Sequence, residues 1–133
     1  MFLLDTDTCI DVLRGIRSVS QRLQGVSPDD CSVSSITAFE LYAGTLLSAH
    51  PERERAKVER FLEQITIIAF DRVAARHAAS IRVELQRSGS TIGAYDLLIA
   101  AEATRSGLVL VSSNKREFER IPNLRLESWR DKR

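Results

Sequence analysis

The sequence predicts an α/β fold: a three-layer α/β/α sandwich with a mainly parallel central sheet. Two patterns carry that prediction. Short apolar runs, FLL at 2–4, CSVSS at 31–35, ITIIAF at 65–70 and LVLVSS at 108–113, alternate with helical stretches. That order builds parallel sheets with helices packed on their faces. The connections are also long enough for the crossovers a parallel pair needs, and such crossovers are right-handed. With 133 residues and no internal repeat or low-complexity tract, residues 1–133 suit one domain around one core.

Each element follows from local signals. Phe2 to Leu4 reads as a short buried strand ending at Asp5. A helix runs through Ile10 and Leu13 and stops near Gly15, and a second one over 17–24 stops at Gly25. GVSPDD is a turn. CSVSS is the second strand, and Ser34 or Ser35 caps a helix that opens at Ile36. His50-Pro51 breaks that helix, and ERERAKVERFLEQ is charged and helical. ITIIAF is the third strand, with Asp71 capping a long helix to about Arg87. There Val73, His77, Ile81 and Leu85 recur every four residues and predict one buried face, with His77 a core or interface residue. SGS is a loop, and the helix carrying Asp96 ends at Gly107. LVLVSS is the strongest strand signal, and RLESW supplies a last short strand.

Composition excludes several classes of function. Hydrophobic content of 44% and charged content of 28% are those of a globular domain. A net charge of +1 gives no global field that demands a polyanion. The tail Arg130-Asp131-Lys132-Arg133 reads as a solvated end. Cys9 and Cys31 lack any zinc-type spacing and are expected to be free thiols in a reducing compartment. The start MFLLDTDTC has no basic leader region, and no apolar run approaches the ~20 residues that span a bilayer. The expected location is the cytoplasm, with no membrane partner.

The acids carry the chemistry. In open parallel sheets the functional crevice lies beyond the carboxyl ends of the strands. Asp5 and Asp7 follow the first strand, and Asn114 follows LVLVSS. On the helix from Ile36, a wheel places Leu46, Phe39, Ala43, Ile36 and Leu47 on one apolar arc, with Glu40 at its border. Asp96 has Ile99, Ala100 and Ala103 as wheel neighbours, where a carboxylate is costly unless paired. Singly, each residue has a local explanation: Asp5 a helix cap, Asp96 a first-turn acceptor, Glu40 a border side chain reaching solvent, Asn114 a turn residue. Convergence on one rim is harder to explain that way, because clustered carboxylates repel and a hard divalent cation relieves the repulsion. The two histidines, His50 and His77, lie in unrelated places. Oxygen ligands alone favour Mg²⁺ or Mn²⁺ over zinc, and Mg²⁺ held this way usually meets substrate phosphates. Phosphoryl or phosphodiester chemistry follows.

Four stretches, LLDTDTCIDVL, SSITAFELYAG, IGAYDLLIAAEA and LVLVSSNKREFERIPNLRLESW, occur in this order over almost the whole chain. Together they resemble the PIN-domain ribonucleases of the VapC toxin type, from type II VapBC toxin–antitoxin systems. The resemblance implies a PIN fold and Mg²⁺- or Mn²⁺-dependent endoribonuclease activity, with tRNA among the candidate RNA substrates. It also implies homodimers, hetero-oligomers with an inhibiting VapB-type antitoxin, and contact with DNA only through that antitoxin. By position, Asp5, Glu40 and Asp96 match the three core acids that bind metal, and Thr6 matches the small hydroxyl residue after the first. Asn114 falls where many PIN domains have a fourth acid and counts among the catalytic residues. Glu117, one turn on, and Asp7, an extra acid at the rim, support it. Lys115 and Arg116 are candidates for contacting RNA phosphates, with Glu117 a pairing partner for either.

The segment CIDVLRGIRSVSQRL carries more apolar residues than two short helices need for one core. It reads as a groove for an antitoxin peptide, with packing inside a homodimer as the alternative. Two rival functions remain at this stage. LLDTDTC approaches the DxDxT start of haloacid-dehalogenase-like phosphatases, with Asp5 as nucleophile and Asp7 as acid–base residue, though no downstream metal motif of that fold appears. A non-catalytic RNA-binding PIN module rests on Asn114 alone.

Overall fold

The computed structural model describes residues 1–130. Strands β1 (Phe2–Leu4), β2 (Cys31–Ser34), β3 (Thr66–Ile68), β4 (Val109–Val111) and β5 (Leu126–Glu127) form one sheet in the order β3-β2-β1-β4-β5. Every pairing is parallel, with Phe2 opposite both Cys31 and Val109, Ser34 opposite Ile68, and Val111 opposite Glu127. Around it run α1 (Thr6–Leu13), α2 (Arg17–Gln24), α3 (Ser35–Leu46), α4 (Pro51–Glu63), α5 (Arg72–Arg87), α6 (Ala94–Ser106) and α7 (Lys115–Phe118). The GVSPDD turn contains a single 3-10 turn, Pro28–Asp30.

The two faces of the sheet follow from strand alternation. Leu3 and Leu110 point into a core with Ile81, Leu85, Ile99 and Phe118, from α5, α6 and α7. Their neighbours Leu4 and Val111 point the other way, with Val33, into Cys9, Val19, Leu41, Val58 and Leu62 from α1 to α4. This is the expected sandwich. Helix ends obey the expected chemistry. Ser34 caps α3 by accepting from Ile36 N at 3.1 Å, and Asp71 caps α5 by accepting from Ala74 N at 3.0 Å. Gly107 closes α6 at φ 66°, a left-handed position that suits glycine. Both cysteines are free and buried. No helix among the described residues is long and apolar enough to cross a membrane.

Three expectations are corrected. First, the buried face of α5 is Ala74, Ala78, Ile81 and Leu85, while Val73 is 45% exposed and His77 is exposed too. Ala74 takes the buried place expected of Val73, so the helix is rotated by one residue at its start and His77 is no core residue. Ile81→Ala should therefore cost about 2–5 kcal/mol and Val73→Ala at most about 0.5 kcal/mol. Urea midpoints of the two variants check this, and equal losses would restore the first reading.

Second, most of the apolar arc of α3 faces outward: Phe39 is 52%, Leu46 75% and Leu47 88% exposed, while Ile36 packs against the core. The buried residues are Leu41, the small Ala38, and Thr37 and Thr45, whose hydroxyls find partners. Third, Arg130 is not merely a solvated end. Its Nε and Nη2 lie 3.0 and 3.2 Å from the two carboxylate oxygens of buried Asp11, tying the chain end to α1. Residues 131–133 of that tail lie outside the described residues.

Candidate active site

Strand order reverses beside β1, whose chain neighbours leave in opposite directions to β2 and β4. Such a switch point opens a crevice past the strand ends. Asp5 sits there, its N–H bonded to Val111 O at 3.0 Å. Its side chain caps α1, accepting from Thr8 N at 2.8 Å, and the residue is only 2% exposed. Burial pushes its carboxyl above the ordinary range, the hydroxyls of Ser112 and Thr8 and the Thr8 N–H oppose that, and Asp7 adds to it. Asn114 N donates to Ser112 Oγ at 3.0 Å, which leaves that hydroxyl's own proton for Asp5. Asp7, two residues on, is exposed in the first turn of α1.

Glu40 reaches the same crevice from the middle of α3, where Thr6 Oγ1 donates to its Oε1 at 2.6 Å. Asp96 arrives on the first turn of α6, partly buried, with Ile99, Ala100 and Ala103 fully buried around it. Its carboxyl is pushed from 3.8 to about 6, first by desolvation and then by the charges of Glu117, Asp5, Asp7 and Glu40. Five carboxylates therefore share one field. Among the described residues none of the five forms an ion pair.

Glu117 is better placed than the sequence indicated. Its Oε1 accepts from Gly93 N at 2.7 Å and its Oε2 from Asn114 Nδ2 at 2.6 Å. A Cβ added at Gly93 would sit 3.6 Å from Glu117 Oε1 and 3.7 Å from Asp96 Oδ2, so these two carboxylates face one small space. Asn114's donor is thus committed to Glu117. The expected pairing of Glu117 with Lys115 or Arg116 does not form. Those two cations have no ion-pair partner among the described residues. Sequence reading also passed over Ser112 and Thr37, buried hydroxyls that meet Asp5 and Thr6. Their one sequence signal is nearness to the acids.

Among the described residues, no three His, Cys, Asp or Glu side chains are gathered tightly enough to ligate one ion as they stand. The charges of Glu117, Asp5, Asp7 and Glu40 nevertheless add to desolvation at Asp96, so the acids face a common space as an open set. The donor chemistry fits a hard divalent cation: all oxygen, net negative, and with repulsion that no protein cation relieves. An ion that keeps several waters does not need a closed cage. Zinc is disfavoured, since His50 and His77 are exposed on other elements.

A parallel α/β sheet with an acid rim at its switch point is the arrangement of a metal-using phosphodiesterase or phosphatase. The PIN domain family matches residues 2–124. A tRNA(fMet)-specific endonuclease VapC of Salmonella typhimurium is 41% identical over 128 residues, covering 96% of this chain and 97% of that protein. Ribonuclease VapC2 of Haemophilus influenzae is 43% identical over 129 residues, with 96% and 97% covered. In the crystal structure of DNA-bound VapBC from Salmonella typhimurium, a chain 42% identical superposes with a TM-score of 0.92 over 96% of this chain and 97% of its own. VapBC2 of Rickettsia felis, bound to a DNA fragment from its promoter, gives 34% and 0.91 over 97% and 98%. The chain belongs to the PIN domain family, and within it to the VapC ribonucleases. Nucleases of this family generally depend on a divalent metal. The phosphatase reading is overturned by this membership.

Proposed function

We propose that the chain is the toxin of a VapBC-type pair, a cytoplasmic endoribonuclease that hydrolyses RNA phosphodiester bonds with Mg²⁺, for which Mn²⁺ substitutes. One PIN domain over residues 1–133 performs it. The observation that carries this reading is the meeting of Asp96 and Glu117 across Gly93, where the charges of Asp5, Asp7 and Glu40 also reach Asp96. Asp5, Glu40 and Asp96 would hold the cation, with Glu117 beside them and Asp7 at the edge. A bound divalent ion supplies an activated water and neutralises charge on the phosphate. The protein's own part is to fix the acids. The cap bond to Thr8 N holds Asp5, the Thr6 hydroxyl holds Glu40, and Asn114 with Gly93 N holds Glu117. Lys115 and Arg116 contact RNA phosphates. A non-catalytic module is disfavoured because all three core acids, Asp5, Glu40 and Asp96, are present.

Incubation of the pure protein with tRNA in Mg²⁺ or in chelator tests the activity. Cleavage only with metal, leaving 5′-phosphate and 3′-hydroxyl ends, is expected; RNA that stays intact in both Mg²⁺ and Mn²⁺ would remove the proposal.

The partners are a VapB-type antitoxin, through which alone DNA is reached, and a second copy of the chain. Ile10, Val12 and Leu13 of α1, Ile16 before α2 and Leu23 of α2 stay only partly buried, on the same core as Phe61 of α4. An antitoxin segment docking there, with a cation toward the acids, should slow amide exchange across residues 9–24. Unchanged protection in the complex counts against this site. The exposed arc of α3 with Tyr95 supports the homodimer.

A further inference from the structure

Thr37 is fully buried on α3, one turn before Glu40, and touches no reacting group. We infer that it is a positioning residue for the site: it holds the Thr6 hydroxyl in the one orientation that donates to Glu40. This rests on the ribonuclease reading above.

Each hydroxyl has one proton to give. Thr6 Oγ1 lies 2.6 Å from Glu40 Oε1 and 3.1 Å from Thr37 Oγ1. An ionised carboxylate only accepts, so the single Thr6 proton goes to Glu40. The remaining contact then has one polarity, with Thr37 donating and Thr6 accepting. Thr37 is 0% exposed and Thr6 9%, so bulk water does not compete for either hydroxyl. Among the described residues the Thr37 hydroxyl has no other partner. The relay Thr37 → Thr6 → Glu40 therefore runs one way, and donors in such a chain polarise one another.

Its position makes it consequential. Thr6 opens α1 directly after Asp5, and Thr37 and Glu40 share α3. The relay thus ties the acid carried by α3 to the helix that the first acid caps. Without the Thr37 proton, Thr6 keeps a buried unsatisfied lone pair and its hydroxyl is free to turn from Glu40. Asp5 is held in the same manner, by a Ser112 hydroxyl that accepts from Asn114 N. Two acids from two elements are each aimed by a buried hydroxyl that is itself aimed by another donor.

A plain packing role for Thr37 would depend on shape, and the relay depends on the hydroxyl. Thr37→Val keeps shape and removes the donor, while Thr37→Ser keeps the donor and removes a methyl. In calorimetric titration of the full chain, Thr37→Val should bind Mn²⁺ about 10-fold more weakly, the lower end of what losing a ligand's partner costs. Its kcat on RNA should fall with KM unchanged, and Thr37→Ser should recover most of both losses. Independently of metal, proton NMR of the wild-type protein should show a slowly exchanging Thr6 hydroxyl, kept in the Ser variant and lost in the Val variant. Wild-type Mn²⁺ affinity in Thr37→Val, or equal losses in both variants, would overturn the relay. So would a Thr6 hydroxyl proton in free exchange in the wild type, a measurement that holds even where Thr37→Val does not fold. Failure of the wild type to bind Mn²⁺ or cut RNA would instead strike the ribonuclease reading, and the hydroxyl measurement would still decide the relay.

Discussion

Asp96→Asn should abolish RNA cleavage, by at least about 100-fold, the upper end of what loss of a metal ligand's partner costs, and at the same time stabilise the metal-free protein at neutral pH. The second effect follows from linkage. The folded Asp96 carboxyl titrates at about 6 against an ordinary 3.8. Between those values the folded state holds a proton that the unfolded chain has released, so stability falls as pH rises through that window. Above pH 6 the penalty is complete, and below about pH 4 it vanishes, because both states are protonated. Asp96 is partly exposed, so solvent screening reduces the penalty to on the order of 1–2 kcal/mol.

A first-turn acid also gains about 0.3–1 kcal/mol from the helix dipole, which Asn forfeits. Desolvation and repulsion together outweigh the dipole, and the net gain should be about 1 kcal/mol at pH 7 and absent or reversed at pH 4. Urea unfolding in chelator at the two pH values reads it directly. A variant that still cleaves RNA, or one less stable than wild type at pH 7, would remove Asp96 from the centre of the acid ring.

What the sequence made legible were features with a one-dimensional signature. The five strands, though mostly shorter than read, the caps at Ser34 and Asp71, Gly107 and the position of Asp96 among Ile99, Ala100 and Ala103 all stand. Helix rotation was less legible. On α5, Val73 outranks Ala74 in hydrophobicity, but the smaller residue takes the buried place and Val73 is left 45% exposed. On α3, the arc of Phe39, Leu46 and Leu47 is apolar as a core face would be, and nothing in the pattern separates a core from a surface that another molecule covers. The true inner face carries Thr37 and Thr45, which read as polar until their partners are known. In the site, Asn114 drew attention by its place in the motif, while the charge nearest to Asp96's titration came from Glu117, fixed by a bond to Gly93 across 24 residues of chain.

Glu117 rather than Asn114 should behave as the fourth acid, and one set of variants separates the two. Glu117→Gln can retain both hydrogen bonds: its Oε1 still accepts from Gly93 N, and a flipped Asn114 amide accepts from its NH₂. Only the charge is lost. Cleavage should then drop about 10–100-fold and Mn²⁺ affinity should fall with it. Asn114→Asp acts in the opposite sense, replacing a donor 2.6 Å from Glu117 Oε2 by a second carboxylate. Two like charges at that distance do not both stay ionised and in place. Glu117 should be driven from Gly93, and activity should fall even though the site has gained an acid. Asn114→Ala removes the donor without adding charge and should give a smaller loss. The double variant Asn114→Asp with Glu117→Gln restores a bonded pair of one charge but moves that charge away from Gly93 and Asp96. It should remain as low as Glu117→Gln alone. Turnover of one tRNA substrate by wild type and the four variants is the measurement. A fully active Asn114→Asp protein would make position 114 an ordinary metal ligand. A silent Asn114→Ala would reduce it to a turn residue, because nothing else in the crevice takes over the bond that holds Glu117 Oε2.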